Sequence, residues 1–506
     1  MATETREIER KYEAETPLAL PDLDGLPGVA ALLGPDELAL DATYFDTPDR
    51  RLLAEGITLR RRTGGDDAGW HLKLPLGPDT REELRVPLGR AVRKVPTALA
   101  SLVRAHARGQ ALEPVGRLRT ARSRWQLVDV DGGVLAEVVL DTVTAQTLGE
   151  HPTEDSWQEA EVELVGGDLA LLSTVDERFT AAGARRSASK SKIGKLLGTA
   201  PRTPFHRGGK VGKKSSAIAV VLDYLREQAQ ALVANDVLVR RDRPDSVHQM
   251  RVATRRLRSA LRTYGRIVDR EHTRELGEEL KWLAAELGVA RDTEVMHERL
   301  VAHIEATPLE LLLGPVRARV DGHYNHAWAQ ARKNVLAALD GQRYLDLLCR
   351  LEHVLREPPP TRLATRPARD VLPEQVARAY RKVAKAVAEA ASKQGEEQEE
   401  ALHEVRKAAK RLRYANEAVQ GVFGKDAAKL GKAAKRLQTL LGHHQDAVVA
   451  RTELRELGVQ AHLAGENGFS YGLFLGRDEA RSEQARAEVP ELWREASKSK
   501  LRRWLA

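Results

Sequence analysis

Glu7, Glu9 and Lys11 stand at alternate positions close behind the start Met, so on a β-strand all three side chains point to one face. Two carboxylates on that face are hard oxygen ligands suited to Mg²⁺. An ammonium two residues on can neutralise phosphate oxygens that a metal leaves bare. Taken alone, such residues also describe an exposed edge strand of mixed charge. The same parity then recurs: Arg60 with Arg62, His71 with Lys73, Arg81 with Glu83 and Arg85, Arg122 with Arg124, Glu137 with Asp141, and Glu159 with Glu161 and Glu163. A half-buried strand turns its polar face to water, so each set by itself reads as a solvated face. A closed barrel of about eight strands has an interior as well, where cations and carboxylates would lie at the range a phosphate chain needs.

The elements that must carry these residues are short alternating segments broken by turn residues, as in Asp46-Thr47-Pro48-Asp49 and Thr63-Gly64-Gly65-Asp66. They predict an antiparallel sheet over residues 1–200, with helical interruptions near 97–107 and 168–182. Pro, Gly and Lys then mark a basic linker over 201–215, expected to be a solvated tether. Beyond it the pattern turns helical. His248-Gln249-Met250-Arg251 through Arg258 recurs as His403-Glu404-Val405-Arg406 through Arg413, a shift of 155 residues, and a Leu-Gly-x-x-x-Asp segment follows each copy, at Leu287 to Asp292 and Leu441 to Asp446. Repetition at separated places predicts a duplicated bundle of about four helices, at about 216–356 and 372–506. Steps of three and four align His248, Arg251, Arg255, Arg258 and Arg262 on one helix face, and His403, Arg406, Lys410 and Arg413 on another. An ordinary exposed basic stripe carries carboxylates one turn away. These two have almost none, and duplication lets them face each other across a groove.

Charge separates the same two regions. Residues 1–200 hold 26 Lys and Arg against 32 Asp and Glu, whereas residues 201–506 are net +14, which points the second region toward a polyanionic partner. The longest apolar run, 217–222, is far short of a membrane span, so a cytoplasmic location is expected. The single cysteine, Cys349, excludes an internal disulfide and a thiolate zinc site; its neighbours Leu347 and Leu348 predict a core position. His443 and His444 beside Asp446 read as helix-end capping and surface residues rather than a metal cluster.

Over roughly residues 3–198 the motifs resemble the CYTH family, the triphosphate tunnel metalloenzymes. The E-x-E-x-K opening stands at Glu7, Glu9 and Lys11. Arg60 and Arg62 resemble the tunnel's paired arginines, and Lys73, Arg122, Asp141, Glu161 and Glu163 its later charged strands. Lys190 resembles the closing lysine, with Lys192 competing for that place. Residues 216 to about 500 resemble the CHAD domain, a twofold-repeated helical domain known as a polyphosphate-binding module. Its basic positions correspond here to His248, Arg251, Arg255, Arg256 and Arg258, and to His403, Arg406, Lys407, Lys410, Arg411 and Arg413.

The resemblance implies an α+β multidomain chain: a closed antiparallel β-barrel forming a triphosphate tunnel, followed by an all-α domain of two duplicated helical bundles. It implies Mg²⁺, with Mn²⁺ as a substitute, held by Glu7, Glu9, Asp141, Glu161 and Glu163. Lys11, Arg60, Arg62, Lys73, Arg122 and Lys190 are then the triphosphate-binding cations, and Glu7, Glu9, Lys11, Glu161 and Glu163 the catalytic set. Phosphoryl transfer asks mainly for positioning and charge stabilisation, so no nucleophilic Ser or Cys is required. The expected function is a Mg²⁺-dependent triphosphatase acting on inorganic triphosphate or polyphosphate ends. Adenylate cyclisation, hydrolysis of thiamine or nucleoside triphosphates, and a non-catalytic role at polyphosphate granules remain open alternatives. No membrane or nucleic-acid partner is expected.

Overall fold

The computed structural model describes residues 3–15, 18–89, 94–198, 200 and 203–505, and its contacts divide the chain into two units, Met1–Thr203 and Pro204–Ala506. In the first, the strands are β1 (Thr3–Glu13), β2 (Ala31–Asp46), β3 (Thr58–Thr63), β4 (Gly69–Pro75), β5 (Thr80–Pro87), β6 (Glu113–Val128), β7 (Val134–Thr147), β8 (Glu154–Leu164) and the two-residue β9 (Arg185–Arg186). They run in the order β5-β4-β3-β2-β6-β7-β8-β1, and β1 pairs with β5 as well, which closes an eight-stranded antiparallel barrel. The closure divides β1: Thr3 to Ile8 lie beside β5, and Glu9 to Tyr12 beside β8.

This barrel is apolar outside and charged within. On β8 the alternation sends Ala160, Val162 and Leu164 outward against Leu171, Leu172, Val175 and Phe179 of the helix α1 (Leu169–Ala181). Tyr12 of β1 stacks on Phe179 in the same layer, ring centroids 4.4 Å apart. That outer layer fixes register, because a one-residue slip would exchange every apolar side chain for a charged one. Glu7, Glu83 and Asp141 are buried accordingly. The predicted helical interruptions occur as one-turn helices at Thr97–Ala100 and Arg104–Ala107 and as α1. A short helix α2 (Lys192–Leu197), unforeseen in the sequence, packs Ile193 against Ala42, Tyr44, Leu118 and Val143, which share the inward face with Arg60, Arg62 and Arg122.

The second unit is helical: α3 (Ala217–Arg240), α4 (Ser246–Thr263), α5 (Arg274–Glu305), α6 (Val316–Asp340), α7 (Gln342–Arg356), α8 (Ala368–Ala391), α9 (Gly395–Leu463) and α10 (Phe469–Ala496). The 155-residue shift is visible in packing. Val247, Met250, Ala253, Leu257 and Ala260 on α4 and Leu402, Val405, Ala408, Leu412 and Ala415 on α9 are all buried. Where residues 264–273 separate α4 from α5, the second copy runs on through a kink at Gly424, whose φ of 55° suits glycine. One apolar cluster draws on both copies, joining Leu300 and Val320 to Leu454 and Phe474, and the Tyr264 hydroxyl donates to the Ala415 carbonyl at 2.6 Å. None of the described helices is long and apolar enough to cross a membrane.

Three sequence expectations change here. Residues 201 and 202 of the expected linker, like 199 before them, lie outside the described residues. Its later part is no free tether: Phe205 is buried, Arg207 donates to Asp223 at 3.0 Å, and the Ser215 carbonyl accepts from the Ala368 amide at 2.8 Å. Cys349 is exposed, because α7 turns Leu345, Leu348 and Leu351 inward and the cysteine onto its outer face. His444 is buried in mid-helix and shares a 2.6 Å hydrogen bond with the Ser482 hydroxyl, so it caps nothing; its neighbour His443 is exposed.

The β3–β4 turn rims the barrel cavity, and Gly64 within it has φ +80°, with the Ala39 carbonyl oxygen 2.0 Å from where a Cβ would sit. Gly64→Ala is expected to cost on the order of 1–3 kcal/mol by strain and displacement of β2. Chemical denaturation of the variant beside wild type checks this.

Candidate functional site

Cross-strand register brings the alternating charges together inside the barrel. Lys11 lies opposite Glu161, Glu9 opposite Glu163, Arg122 opposite Asp141, Lys73 opposite Glu83, and Tyr44 opposite Arg60. The resulting cavity of about 390 Å³ is lined, among the described residues, by nine Lys and Arg and eight Asp and Glu side chains. Glu7, Glu9, Lys11, Arg60, Arg62, Lys73, Arg122, Glu161 and Glu163 all reach it.

The cations are held by carboxylates on neighbouring strands. Lys11 pairs with Glu161 and, at 3.4 Å, with Glu9; Lys73 pairs with Glu7 and lies 3.7 Å from Glu83; Arg81 lies 3.4 Å from Glu9. Arg62 pairs with Asp67. Burial still draws the Arg62 guanidinium down to about 9, and the positive fields of Arg60 and Arg122 add to it. His71 is buried between the Glu83 carboxylate and the Asp67 carbonyl, 2.9 Å from each, and fastens the β3–β4 turn to β5. Burial opposes the charge of Glu161, but Lys11, Lys192 and Arg122 outweigh it and hold this carboxyl well below the usual range.

Two predicted residues stand elsewhere. Asp141 does not line the cavity. It shares the inward face with Arg122, accepts both nitrogens of a forked Arg122 contact at 2.7 Å and has Lys192 at 3.0 Å, so in this structure its oxygens are turned to cations. Lys190 is exposed, and only its backbone carbonyl joins the site, accepting from Arg81. Strand parity ends with β9, and the chain turns through Ser189 and Ser191 into α2, whose capping Ser191 accepts from the Gly194 amide at 3.1 Å. Lys192, the first helical residue, thereby enters the cavity and meets Asp141, Glu159 and Glu161 at 2.6–3.0 Å. Those carboxylates outweigh its burial and raise its pKa well above the ordinary value.

The sequence reading also left Tyr44, Glu83, Arg81, Arg85, Arg124 and Glu137 uncommitted, although all line the cavity. Parity groups the last five, whereas Tyr44, between Thr43 and Phe45, carries no charge signal.

Several carboxylates offer hard oxygen donors here. Among the described residues Glu163 has no ion pair or hydrogen bond, and its carboxyl is pushed up to about 7 by burial and by the facing Glu7 and Glu9. No three His, Cys, Asp or Glu side chains among the described residues are drawn into a closed ligand set. The other carboxylates turn toward Lys and Arg instead. Glu163, Glu9 and Glu7 are thus a crowded group of hard oxygens whose mutual repulsion a cation would relieve.

In the helical unit, α4 and α9 bring their basic faces together. A second cavity, of about 470 Å³, is lined by Arg255, Arg258 and Arg262 from α4 and by Lys407, Lys410 and Arg411 from α9, with Glu404 as its carboxylate. Burial and the nearby Arg255, Arg406 and Arg251 pull Lys410 down to about 6. Arg251 pairs with Asp292 at 2.8 Å, and Arg406 lies 3.7 Å from Asp446. A Cβ on Gly288 would meet the Arg251 guanidinium at 3.4 Å, and one on Gly442 would meet that of Arg406 at 3.7 Å. The repeated Leu-Gly-x-x-x-Asp is therefore a seat for an arginine: glycine clears the space and aspartate one turn on takes the charge.

Six predicted basic residues do not line that cavity. They include the paired Arg251 and Arg406. Arg256 and Arg413 both donate to Glu417, at 3.0 and 2.7 Å. His403 is bonded to Gln445 at 2.6 Å and faces a different cavity, lined by Glu389, Glu396, Glu399 and Glu400. His248 is half-buried, its pKa lowered by burial and then by Arg291.

Comparison with known proteins agrees with this two-part architecture. The CYTH domain model matches residues 5–196 and the CHAD domain model residues 223–455. The uncharacterized protein Rv2226 of Mycobacterium tuberculosis (strain H37Rv) and MT2285 of strain CDC 1551 are each 36% identical over 522 aligned positions, covering 97% of this chain and 96% of theirs. Among solved structures, PptA from Streptomyces chartreusis is 22% identical with a TM-score of 0.46, covering 55% of this chain and 100% of its own. The CHAD domain from the plant Ricinus communis is 24% identical with a TM-score of 0.45, covering 59% and 96%.

Lys192→Met is expected to destabilise the barrel by about 3–5 kcal/mol at neutral pH, since it leaves buried Glu159 without its cation and takes one of the cations from Asp141 and Glu161. Glu161 is depressed in the folded state, so its contribution is present above the ordinary carboxylate range and fades with acid. The gap between variant and wild type should therefore hold from pH 7 down to about 4.5 and narrow only at lower pH. Lys190→Met should leave stability unchanged. Thermal melts of the three proteins across that pH range decide between the two lysines.

Proposed function

The chain belongs to the family of these Mycobacterium proteins and carries a CYTH domain followed by a CHAD domain; from that premise we propose that it is a metal-dependent triphosphatase tethered to a polyphosphate-binding helical domain. CYTH domains include triphosphatases and cyclases and typically use divalent metal ions; CHAD and CYTH domains in general bind polyphosphate and triphosphate. The finer choice, inorganic triphosphate or the end of a polyphosphate chain, is supported by one observation. Among the described residues the cavity wall has no Trp or Phe; its aromatic residue is Tyr44, whose hydroxyl lies 3.4 Å from Arg60. A nucleobase or thiamine ring would favour an aromatic platform, and beside Leu38, Leu40 and Val165 this wall, among the described residues, offers only Tyr44, engaged with Arg60.

In this reading Lys11, Arg60, Arg62, Lys73, Arg122 and Lys192 hold the phosphate oxygens, the arginines by planar forks and the lysines as point charges. Glu7, Glu9, Glu161 and Glu163 are the residues that would hold Mg²⁺ or Mn²⁺. When bound, such a metal neutralises phosphate charge and lowers the pKa of water. Asp141, Glu159 and His71 act through others: the two carboxylates orient Arg122 and Lys192, and His71 fixes Glu83. Catalysis then rests on alignment of the phosphate chain and on charge stabilisation. A cytoplasmic protein at polyphosphate granules is the corresponding cellular role.

Phosphate release from triphosphate, long-chain polyphosphate, ATP and thiamine triphosphate, compared with Mg²⁺ or Mn²⁺, tests the reading. Triphosphate or polyphosphate should be preferred, and a preference for ATP with cyclic product would replace it with the cyclase. Absence of hydrolysis on all four would leave a binding protein. Glu163→Gln should abolish turnover while the fold holds. A carboxyl raised above its unfolded value costs stability wherever it is ionised, so the variant should melt higher than wild type above about pH 7 and equally near pH 4.

The helical unit supplies its positive charge without a metal, so polyphosphate binding should persist in chelator and weaken steeply with salt. Lys410, drawn down to about 6, should take up a proton when a polyanion arrives. Affinity should then rise as pH falls from 8 to 6, and calorimetry in buffers of differing ionisation enthalpy should show proton uptake. Lys410→Arg should remove most of that uptake.

A further inference from the structure

The two copies of the helical unit differ in charge where they should be interchangeable. A shift of 155 residues carries Arg255 to Lys410, Arg258 to Arg413, Arg256 to Arg411 and Arg262 to Glu417, and carries Val252 to Lys407. The basic cavity is built from Arg255, Arg258 and Arg262 of one copy and Lys407, Lys410 and Arg411 of the other. Exchanging the copies puts Lys410, Arg413 and Glu417 opposite Val252, Arg255 and Arg256, a second seat of the same geometry.

Its chemistry is different. One cation has become Val252 and another has become Glu417. Glu417 then takes the two cations peculiar to that seat, accepting from Arg256 at 3.0 Å and from Arg413 at 2.7 Å. Both guanidiniums also lie over the ring of Tyr414, at 5.8 and 5.3 Å from its centroid, so they are held against the protein. Arg255 and Lys410, shared between the seats, are what remains on that side. In the other seat, among the described residues, Arg255, Arg258, Arg262, Lys410 and Arg411 have no carboxylate partner, and Glu404 is engaged by Lys407 at 2.6 Å. Beyond the shared pair, and among the described residues, one side has three cations without a carboxylate partner, Arg258, Arg262 and Arg411, and the other has none.

We propose that Glu417 closes one of the two related anion seats, so that the duplicated unit takes a phosphate chain on one side only. The chain lies between Arg258 and Arg262 of α4 and Lys407 and Arg411 of α9, with Arg255 and Lys410 at its inner edge. This rests on the polyphosphate reading of the helical unit and adds to it a direction and a number of sites. An internal carboxylate that already fills a seat excludes a phosphate both by repulsion and by taking up the donors a phosphate would use.

The test uses the full chain in chelator, titrated with short-chain polyphosphate of narrow length distribution, with stoichiometry and affinity read by calorimetry; tunnel binding is common to every variant and cancels in comparison. Arg258→Gln and Arg262→Gln should each weaken binding about tenfold, the loss of one charge-assisted contact. Arg413→Gln, at the position duplication makes equivalent to Arg258, should weaken it several-fold less. Glu417→Arg should add a second binding equivalent. Glu417→Gln, which keeps the shape and removes only the charge, should strengthen binding if the arginine variant does not fold. Equal losses for Arg258→Gln and Arg413→Gln would overturn the one-sided site. So would a folded Glu417→Arg, or a Glu417→Gln, with unchanged stoichiometry and affinity. A wild-type chain with no chelator-resistant binding beyond that abolished by Arg60→Ala would instead refute polyphosphate binding by the helical unit, and this inference with it.

Discussion

Eight carboxylates and nine cations share the interior of one small barrel, and the first unit depends on their mutual compensation. An isolated charge there would be driven to neutrality, since burial of a single ion costs far more than a domain's net stability. Lys192 shows how the cost is met: three carboxylates lie within 3.0 Å, from two different strands. The strands must therefore be in register before any of these charges can be accommodated. Register is set on the opposite face, where Tyr12, Val162 and Phe179 build an apolar layer between the barrel and α1. Outside packing and inside chemistry are the odd and even residues of the same strands, so neither can drift without the other.

That coupling explains what sequence alone made legible. Alternation fixes which residues share a face, and the faces carrying Glu7 and Glu9, Arg60 and Arg62, and Glu161 and Glu163 do meet in one cavity. Alternation carries no information where the strand stops. It placed Lys190 inward because it assumed an extended chain to that point, whereas Ser191 caps a helix and hands the position to Lys192. Nor does it separate an inward side chain that reaches the open cavity from one covered by its partners, as Asp141 is by Arg122 and Lys192. Tyr44 escapes the pattern for a related reason: it is uncharged itself, and the charges around it come from other strands.

The helical unit was legible through repetition. Spacing located both stripes and both Leu-Gly-x-x-x-Asp segments, but what that motif does appears only when Arg251 lies over Gly288 and Arg406 over Gly442. Helical period also overcounted. A stripe wraps far enough around α4 and α9 that Arg256 and Arg413 turn to Glu417 and His403 to Gln445. Only partners on other helices divide one charged face into exposed and satisfied parts.

The two units thus meet a polyanion from opposite electrostatic starting points. In the barrel, carboxylates nearly balance the cations, and Glu163 is left facing its own kind with its carboxyl raised to about 7. A phosphate chain entering alone would add negative charge to that group, so additional positive charge has to come with it, as a divalent ion supplies. In the groove between α4 and α9 the imbalance has the other sign: Lys410 is pulled to about 6 by burial and by the arginines around it. An arriving anion relieves that strain directly, and a divalent cation would only compete for it. The proposed metal dependence of the barrel and metal independence of the helical groove would both follow from one rule of charge compensation applied to two different residue inventories.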